Sequence, residues 1–518
     1  MTGSDRWPVR PEPGEAVPTP FGMSAYCVGD PAAHAPDRDA LVVVHGPGDD
    51  SRWTFAEVDD VVRAVAAGLL GLGLQSGDRV LLRMGNRAHF PFVFFGAIAA
   101  GLVAVPTSAQ LTADEAAGLL ADSGARAVAL DPDLDLAVPQ GISVITSDDV
   151  GRWVADGERA EHDLGDPARP AFITYTSGTT GRPKGVVHAH RSAWGRRPMY
   201  RGWYGLGEGD VMLHAGALNW TYTLGVGLTD PWANAATAIV YDGPRDGLVW
   251  PRIVHSHKAT HLAAVPGVYR HLLRHGDPRE WDLSSLRTAL VAGEALPTAL
   301  LEEWSAATGV PLHESLGMSE ISTFVSTGPG IPVRPGSPGR AQPGRRIAVL
   351  DPDELDAPRE LPAGEVGRLA VHRSDPGLML GYWQRPEETA EVLRGEWFVT
   401  GDLAELDADG YLTYHGRADA VMNAMGYRVS PVEVEDALAG VAGVADVAVT
   451  ALDVGDGVSI VCAWVVPTPD ATDPEALRDR VIEQAGQRLA AYKRPREVRL
   501  VDALPRTANG KVVRRDLR

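Results

Sequence analysis

Helix-period and strand-period segments alternate along most of this chain, and that alternation narrows the fold more than any other feature. The stretch 53–74, WTFAEVDDVVRAVAAGLLGLGL, repeats apolar residues at helical spacing and runs into GDRVLLRMG at 77–85, which has strand character. The order returns in ADEAAGLLADSG followed by ARAVALD at 113–131, and again in RIVHSHKATHLAAVPGVYRHLL and LRTALVAGEAL between 252 and 296. Strands separated by helices need crossover connections, so the pattern predicts an α/β architecture with largely parallel sheets. The longest apolar run, Phe90 to Val105, contains Gly96 and Gly101 and is short for a bilayer span; it reads as a buried helix entering a strand. The glycines of GLGLQSG, 71–77, follow a helix and precede a strand, the reverse of a dinucleotide-binding turn, and read as a helix stop.

From about Arg340 the texture changes. GRRIAVLD, GEVGRLAVHR and GYLTYHGR are short strand-like runs separated by turns, and predict a smaller β-rich subdomain over about 340–416. After HGRADAVMNAMGYRVSP a compact α+β pattern follows: helix VEVEDALAG, strands VADVAVTAL and SIVCAWVV, helix PEALRDRVIEQAGQRLA. The expected fold class is therefore α/β, with a large N-terminal domain over 1–416 and a small C-terminal α+β domain over 417–518.

Composition bounds the function. The chain has 518 residues and a net charge of -20, so the whole protein is not expected to bind nucleic acid or an acidic membrane. The last 28 residues, 491–518, run against this balance with nine basic and three acidic residues. They are either a solvated end attracted to the acidic body or an arm that meets a polyanionic ligand. Two cysteines, Cys27 and Cys462, form no metal spacing and fit a reducing cytoplasm. The N-terminus MTGSDRWPVRPEPGEAVPTP has no apolar signal core. Of 48 basic residues only Lys184, Lys258, Lys493 and Lys511 are lysine. Where arginine has taken nearly every basic position, a surviving lysine draws notice, because a compact ammonium enters a tight anionic site that guanidinium does not fit.

Lys184 sits in YTSGTTGRPKG, 175–185, directly after the strand-like AFITY. Gly178, Gly181 and Gly185 let main-chain N–H groups approach a ligand, Thr176, Ser177, Thr179 and Thr180 add donors, and Lys184 adds charge. Such a loop suits a polyphosphate, the alternative being a mobile surface loop. It is not a Walker A loop, because Lys184 is followed by Gly185 rather than Ser or Thr. His255 and His257 in HSH have no cysteine or carboxylate at metal spacing, and GSPG at 336–339 is a turn.

This stretch resembles the signature phosphate loop of the adenylate-forming ANL superfamily: acyl-CoA synthetases, non-ribosomal adenylation domains and luciferases. ESLGMSE (314–320), GYWQRPEET (381–389), WFVTGD (397–402), HGRAD (415–419) and PRTANGK (505–511) resemble further motifs of that family, in its order and approximate spacing. The acyl-CoA synthetase and CoA ligase branch is the expected placement. The resemblance implies a two-step reaction in which a carboxylate attacks the α-phosphate of ATP, giving acyl-adenylate and pyrophosphate, and coenzyme A then displaces AMP. It implies that Lys511 reaches the α-phosphate and carboxylate, that Thr176 and Glu320 hold Mg2+, that Asp402 accepts the ribose hydroxyls, and that Arg417 and Arg428 touch ribose and phosphates. Nucleotide contacts are implied along Thr176, Ser177, Gly178, Thr179, Thr180, Gly181 and Lys184. They continue at Gly293, Glu294 and Ala295, and at Glu314, Ser315, Leu316, Gly317, Met318 and Ser319. CoA contacts are implied at Met425, Gly426 and Tyr427, and a hinge at Asp419 about which the small domain rotates.

Two departures from the family pattern stand out. Leu316 replaces the aromatic residue that often stacks on adenine. Ala420 and Met425 stand where acidic and small polar residues are commoner. They keep open a second function class, a protein that performs only thioester formation from a supplied acyl-adenylate. A rival acceptor is a separate carrier protein, although no carrier domain follows Lys511. A homodimer is left open. The acyl pocket is implied to be walled by Trp220, Tyr222, Leu224, Val291, Gly293 and Met318, with no lysine or arginine facing it, so the expected substrate is a hydrophobic monocarboxylic acid, aromatic, alicyclic or medium-chain.

Overall fold

The computed structural model describes residues 15–517 apart from 177–182, 245, 356, 419–421, 425–426, 455–458, 490, 492 and 507–511. Two large sheets carry the body of the chain. The first has seven strands in the spatial order Gly381–Tyr382, Lys184–Ala189, Pro170–Thr176, Val103–Thr107, Arg79–Arg83, Ala127–Leu130, Ser143–Ile145. Its centre is parallel, as the alternation predicts, and only the pairings of Lys184–Ala189 with its two neighbours are antiparallel. The second has nine strands, with a parallel centre through Leu312–Met318, Thr288–Ala292, His261–Ala264, Val211–His214, Thr237–Tyr241 and Asp39–Gly46, and antiparallel edges.

The connecting helices start where the sequence marks them. Thr54, Thr112 and Thr146 each accept a bond from the backbone three residues on, while Glu57, Glu115 and Asp149 bond back to the cap N–H, so three helices open with reciprocal caps. The apolar run 90–105 is a helix, His89–Ala99, buried on all sides, followed by the strand Val103–Thr107. It lies tight against helix Phe55–Gly71: a Cβ on Gly96 would come within 2.5 Å of Val65 Cγ1. Among the described residues no helix is long and apolar enough to cross a membrane.

Beyond Arg340 a five-stranded antiparallel sheet is built from Ile347–Leu350, Gly367–His372, Trp397–Leu406, Leu393–Arg394 and Leu412–Arg417. It shares a core with the nine-stranded sheet through Phe324, Val325, Leu369 and Phe398. A last unit packs helices Pro431–Leu438 and Pro474–Arg488 on a three-stranded sheet of Val444–Asp453, Ser459–Pro467 and Glu497–Leu500. The mixed α/β class with its β-rich and α+β additions agrees with the sequence reading.

Candidate active site

The glycine-rich segment is the tip of a hairpin. Strand Pro170–Thr176 leads into it and Lys184–Ala189 leads out, with Thr176 opposite Lys184 and the Thr176 hydroxyl 3.5 Å from the Lys184 carbonyl oxygen. Ser177, Gly178, Thr179, Thr180 and Gly181 lie outside the described residues. The Lys184 ammonium is paired with the Glu388 carboxylate and lies 5.3 Å from the centroid of the Tyr382 ring. The Tyr382 hydroxyl donates to Glu320 Oε1 at 2.7 Å. One tyrosine therefore links the loop lysine to the acidic end of ESLGMSE, two groups far apart in sequence. Burial and the Glu320 carboxylate both push the Tyr382 phenol upward, so it remains a donor. The same arm is anchored further out: Arg385 pairs with Asp122 at 3.0 Å, and Tyr175 donates to Asp122 at 2.7 Å.

The second group of site residues follows strand Leu312–Met318. Glu314 Oε1 accepts the Leu296 N–H at 2.9 Å, which fixes the turn Gly293–Ala295 beside it. Burial pushes the Glu314 carboxyl up to about 8, and Asp436 of the C-terminal unit adds to the shift. Ser315 turns its hydroxyl into the sheet, donating to the Val325 carbonyl at 2.7 Å. The strand bulges between Leu316 and Gly317, and a Cβ on Gly317 would lie 2.5 Å from the Ser322 oxygen. Leu316 and Met318 pack against the apolar cluster shared with the β-rich sheet. The Ser319 carbonyl accepts from His188 Nε2 at 2.8 Å.

Asp402 is buried on strand Trp397–Leu406, directly across the ladder from Arg417, and accepts the Tyr414 hydroxyl at 3.2 Å. Gly401 admits the Arg417 guanidinium, whose Cζ would be 2.5 Å from any Cβ there. Lys511 lies outside the described residues, but the ends of its segment are placed. Arg506 and Val512 form a β-bridge, and Arg506 reaches Glu294 Oε1 at 3.3 Å and Asp446 Oδ2 at 2.6 Å. Arg506, which precedes that segment, thus touches the Gly293–Ala295 turn through its side chain. Asp419, Ala420, Met425 and Gly426 lie outside the described residues, as do the side chains of Tyr427 and Arg428.

The expected acyl wall is changed in part. Gly293 has φ +95°, and a Cβ there would meet the Trp220 ring at 2.8 Å, so the indole closes over the turn. Tyr222 is buried in T-shaped contact with Trp220 at 5.2 Å, its hydroxyl 3.4 Å from the Ala264 and Leu290 carbonyls. Leu224 is buried in the same core. Val291 is not on this side: strand alternation sends it into the cluster with Leu262, Leu300 and Trp304, while Leu290 and Ala292 share the core of Trp220 and Tyr222. Nor is the region free of basic side chains. Arg196, bound to buried Asp230, lines a cavity that Leu224 and Ser319 also line. Tyr382, Glu388, Arg506 and Arg196 escaped the sequence reading. The first two sit inside GYWQRPEET and Arg506 inside PRTANGK, motifs recognised as blocks; Arg196 is indistinguishable by sequence from the many other arginines. His255 instead pairs with Asp282 at 2.7 Å, and among the described residues no cluster could hold a metal through three or more His, Cys or acidic side chains.

The model of the AMP-binding enzyme family matches residues 29–383, and that of the AMP-binding enzyme C-terminal domain matches 433–511. The chain is 31% identical to the 3-hydroxybenzoate–CoA ligase of Aromatoleum sp. (strain CIB), covering 96% of this chain and 98% of that one. It is 35% identical to the benzoate–CoA ligase of Thauera aromatica over 86% of each. Among solved structures, the anthranilate CoA ligase AuaEII in complex with anthranoyl-AMP superposes with a TM-score of 0.86 at 28% identity, covering 100% of this chain and 98% of that one. The chain belongs to the AMP-binding, adenylate-forming enzyme superfamily, in its acyl-CoA synthetase and CoA ligase branch.

Proposed function

We infer that the protein is an ATP-dependent acid–thiol ligase that converts a hydrophobic carboxylic acid to its acyl-adenylate and then to its acyl-CoA, releasing pyrophosphate and AMP. The names of the relatives support the ligase activity and the use of ATP and coenzyme A. The observation that carries the reading on this chain is the link Lys184–Tyr382–Glu320, which gathers a cation and a carboxylate at the hairpin tip. Joining an anionic carboxylate to an anionic triphosphate needs positive charge where charge builds in the transition state. Lys184 supplies it on the polyphosphate side. Lys511, in the motif that begins beside Arg506, whose side chain reaches Glu294, supplies it at the α-phosphate and the attacking carboxylate. Glu320 and Thr176 offer hard oxygen donors, and Glu320 keeps Oε2 free of the Tyr382 bond, a set that suits Mg2+. When bound, the ion would neutralise phosphate charge. Asp402 and Arg417, paired across one ladder, take the ribose and phosphate edge, and the family motif assigns Arg428 to the same task.

Domain 1–416 forms the ATP and acyl site, and 417–518, hinged at Asp419, brings Lys511 for the first step and Met425–Tyr427 for CoA in the second. Coenzyme A is the acceptor; a carrier protein is the less supported one. The test is a panel of aromatic, alicyclic and medium-chain acids assayed for pyrophosphate release with ATP, and for acyl-CoA by mass. Acyl-CoA, AMP and pyrophosphate in equal amounts support the ligase. Thioester from supplied acyl-adenylate, with no pyrophosphate from any acid plus ATP, supports the half-reaction reading that Leu316, Ala420 and Met425 raise.

A further inference from the structure

A small cavity of about 30 Å3 adjoins the site through Ser319 and Leu224. Its remaining wall includes Phe172, His188, Ser322 and Arg196, and Arg196 is the single Asp, Glu, Lys or Arg among the described residues that line it. The arginine is nine-tenths buried and its charge is already balanced. Nε and Nη2 donate to the two oxygens of Asp230 at 2.6 and 2.7 Å, and the fully buried Asp230 also accepts the Tyr204 hydroxyl at 2.8 Å. Nη1 donates to Ser322 Oγ at 2.5 Å. A guanidinium carries five N–H groups, and these bonds occupy three. Ser322, having accepted from Arg196, still has its own proton, for which the Met199 sulfur 4.0 Å away is a weak acceptor. A third polar atom is unmet: His188 uses Nε2 on the Ser319 carbonyl, and its buried Nδ1 has no partner among the described residues. Burial holds this imidazole down to about 4, so it stays neutral and Nδ1 is an acceptor. A pair serving only to tie the turn at Arg196 to Asp230 would not need spare donors on a cavity wall. The backbone makes room for them: a Cβ on Gly225 would stand 2.1 Å from Arg196 Nη2.

We propose that this cavity receives the far end of the acyl substrate, and that Arg196 and Ser322 bind a neutral oxygen there. The preferred acid then has an apolar body and a distal hydroxyl, or next best a carbonyl. The proposal rests on the ligase reading and names its substrate class. A second carboxylate is excluded by charge: Asp230 already neutralises Arg196, so a further anion would be buried without a counter-ion. A hydrocarbon end is disfavoured because it would cover the spare donors without bonding them. A hydroxyl ranks above a carbonyl because it can also donate to His188 Nδ1.

The test uses the full chain and ATP-dependent pyrophosphate release. The probes are ring-substituted benzoates and ω-substituted hexanoates, each with methyl, hydroxyl, acetyl or carboxylate at the far position. In the best series the hydroxyl member should exceed its methyl counterpart in kcat/KM by about tenfold or more, mainly through KM, with acetyl between them and carboxylate poorest. Ser322→Gly removes the hydroxyl at a residue whose φ of +73° glycine accepts without strain. It should cut the hydroxyl-to-methyl ratio to about threefold or less, whereas a merely structural defect would lower both acids together and leave their ratio as it is. The assignment is overturned if methyl or carboxylate members rank first in the wild-type enzyme, or if the ratio is unchanged in Ser322→Gly. Should no acid of any series release pyrophosphate, the ligase reading fails and takes this one with it, an outcome distinct from a wrong ranking.

Discussion

Glu388 occupies the cation that the proposed reaction assigns to ATP. Its carboxylate pairs with the Lys184 ammonium, the two side chains being 32% and 23% exposed, and Arg385 Nε stands 3.7 Å from its other oxygen. A polyphosphate binding at Lys184 displaces or shares that contact, and feels the carboxylate as a like charge. Glu388→Gln removes both effects while keeping the shape, and Arg385 retains its pair with Asp122 at 3.0 Å. A solvent-screened pair of this exposure is worth about 0.2–1 kcal/mol, which converts to about 1.4- to 5-fold in binding. The variant should therefore lower KM for ATP and the inhibition constant of pyrophosphate by that factor, in the same direction for both. Where pyrophosphate release limits turnover, kcat falls alongside. The assay is ATP–pyrophosphate exchange with a cognate acid, together with product inhibition by pyrophosphate, using Glu387→Gln as the neighbouring control. A rise in KM for ATP, or an inhibition constant that does not move, refutes the argument and makes Glu388 an aid to Lys184 rather than its competitor.

Lys511→Ala should abolish pyrophosphate release, a loss on the order of 3 kcal/mol or more of transition-state stabilisation, yet leave thioester formation from supplied acyl-adenylate largely intact; equal loss in both steps would point to misfolding. Asp419→Pro should trap one domain arrangement by fixing φ, so one half-reaction survives and the other does not; two unchanged half-reactions would remove the hinge from Asp419. Glu314, with its carboxyl raised from an ordinary 4.5 to about 8, binds more protons folded than unfolded between those values. Stability of the free enzyme should then fall as pH rises through that window, at most about 1.4 kcal/mol per pH unit for this group. Asp436, raised to about 6, contributes only to the lower part, so Glu314→Gln should flatten denaturant-measured stability between pH 6 and 8. An unaltered slope there would show that Glu314 ionises freely.

The parts of this protein that were legible in its sequence are those decided within a few residues. The alternation of helix-period and strand-period runs, as in 53–74 followed by 77–85, is local, since each repeat lies within one element. The hairpin around YTSGTTGRPKG is local too, because Thr176 and Lys184 face each other across a short tip. What the sequence could not order was parity and distance. Val291 lies one residue from Leu290 and Ala292, yet it faces the opposite core, and composition alone gives no register for an entirely buried strand. The segment of Trp220, Tyr222 and Leu224 was expected to supply substrate walls side chain by side chain. It breaks instead into a short helix Thr221–Leu224 and a wider turn Gly225–Thr229, and Gly225 serves by having no side chain.

The same distinction separates the chemistry of the site from its selectivity. Lys184, Glu320, Asp402 and Lys511 each stand in a short motif, because phosphate, ribose and carboxylate are common to every reaction of this type and one constellation serves them all. The far end of the acid is particular to one enzyme. Its recognition falls to Arg196, Asp230 and Ser322, which meet from separate segments of the chain and are balanced so that the pocket is polar without being charged. Burying one ion with its counter-ion is neutral or costly for stability when apolar residues could fill the same volume. Such a pair on a cavity wall therefore fits the proposed selection among substrates better than a contribution to the strength of the fold. In the proposed reading Trp220, Tyr222 and Leu224 enclose the body of the acid, and Arg196, on the wall of the cavity that Leu224 also lines, meets its end.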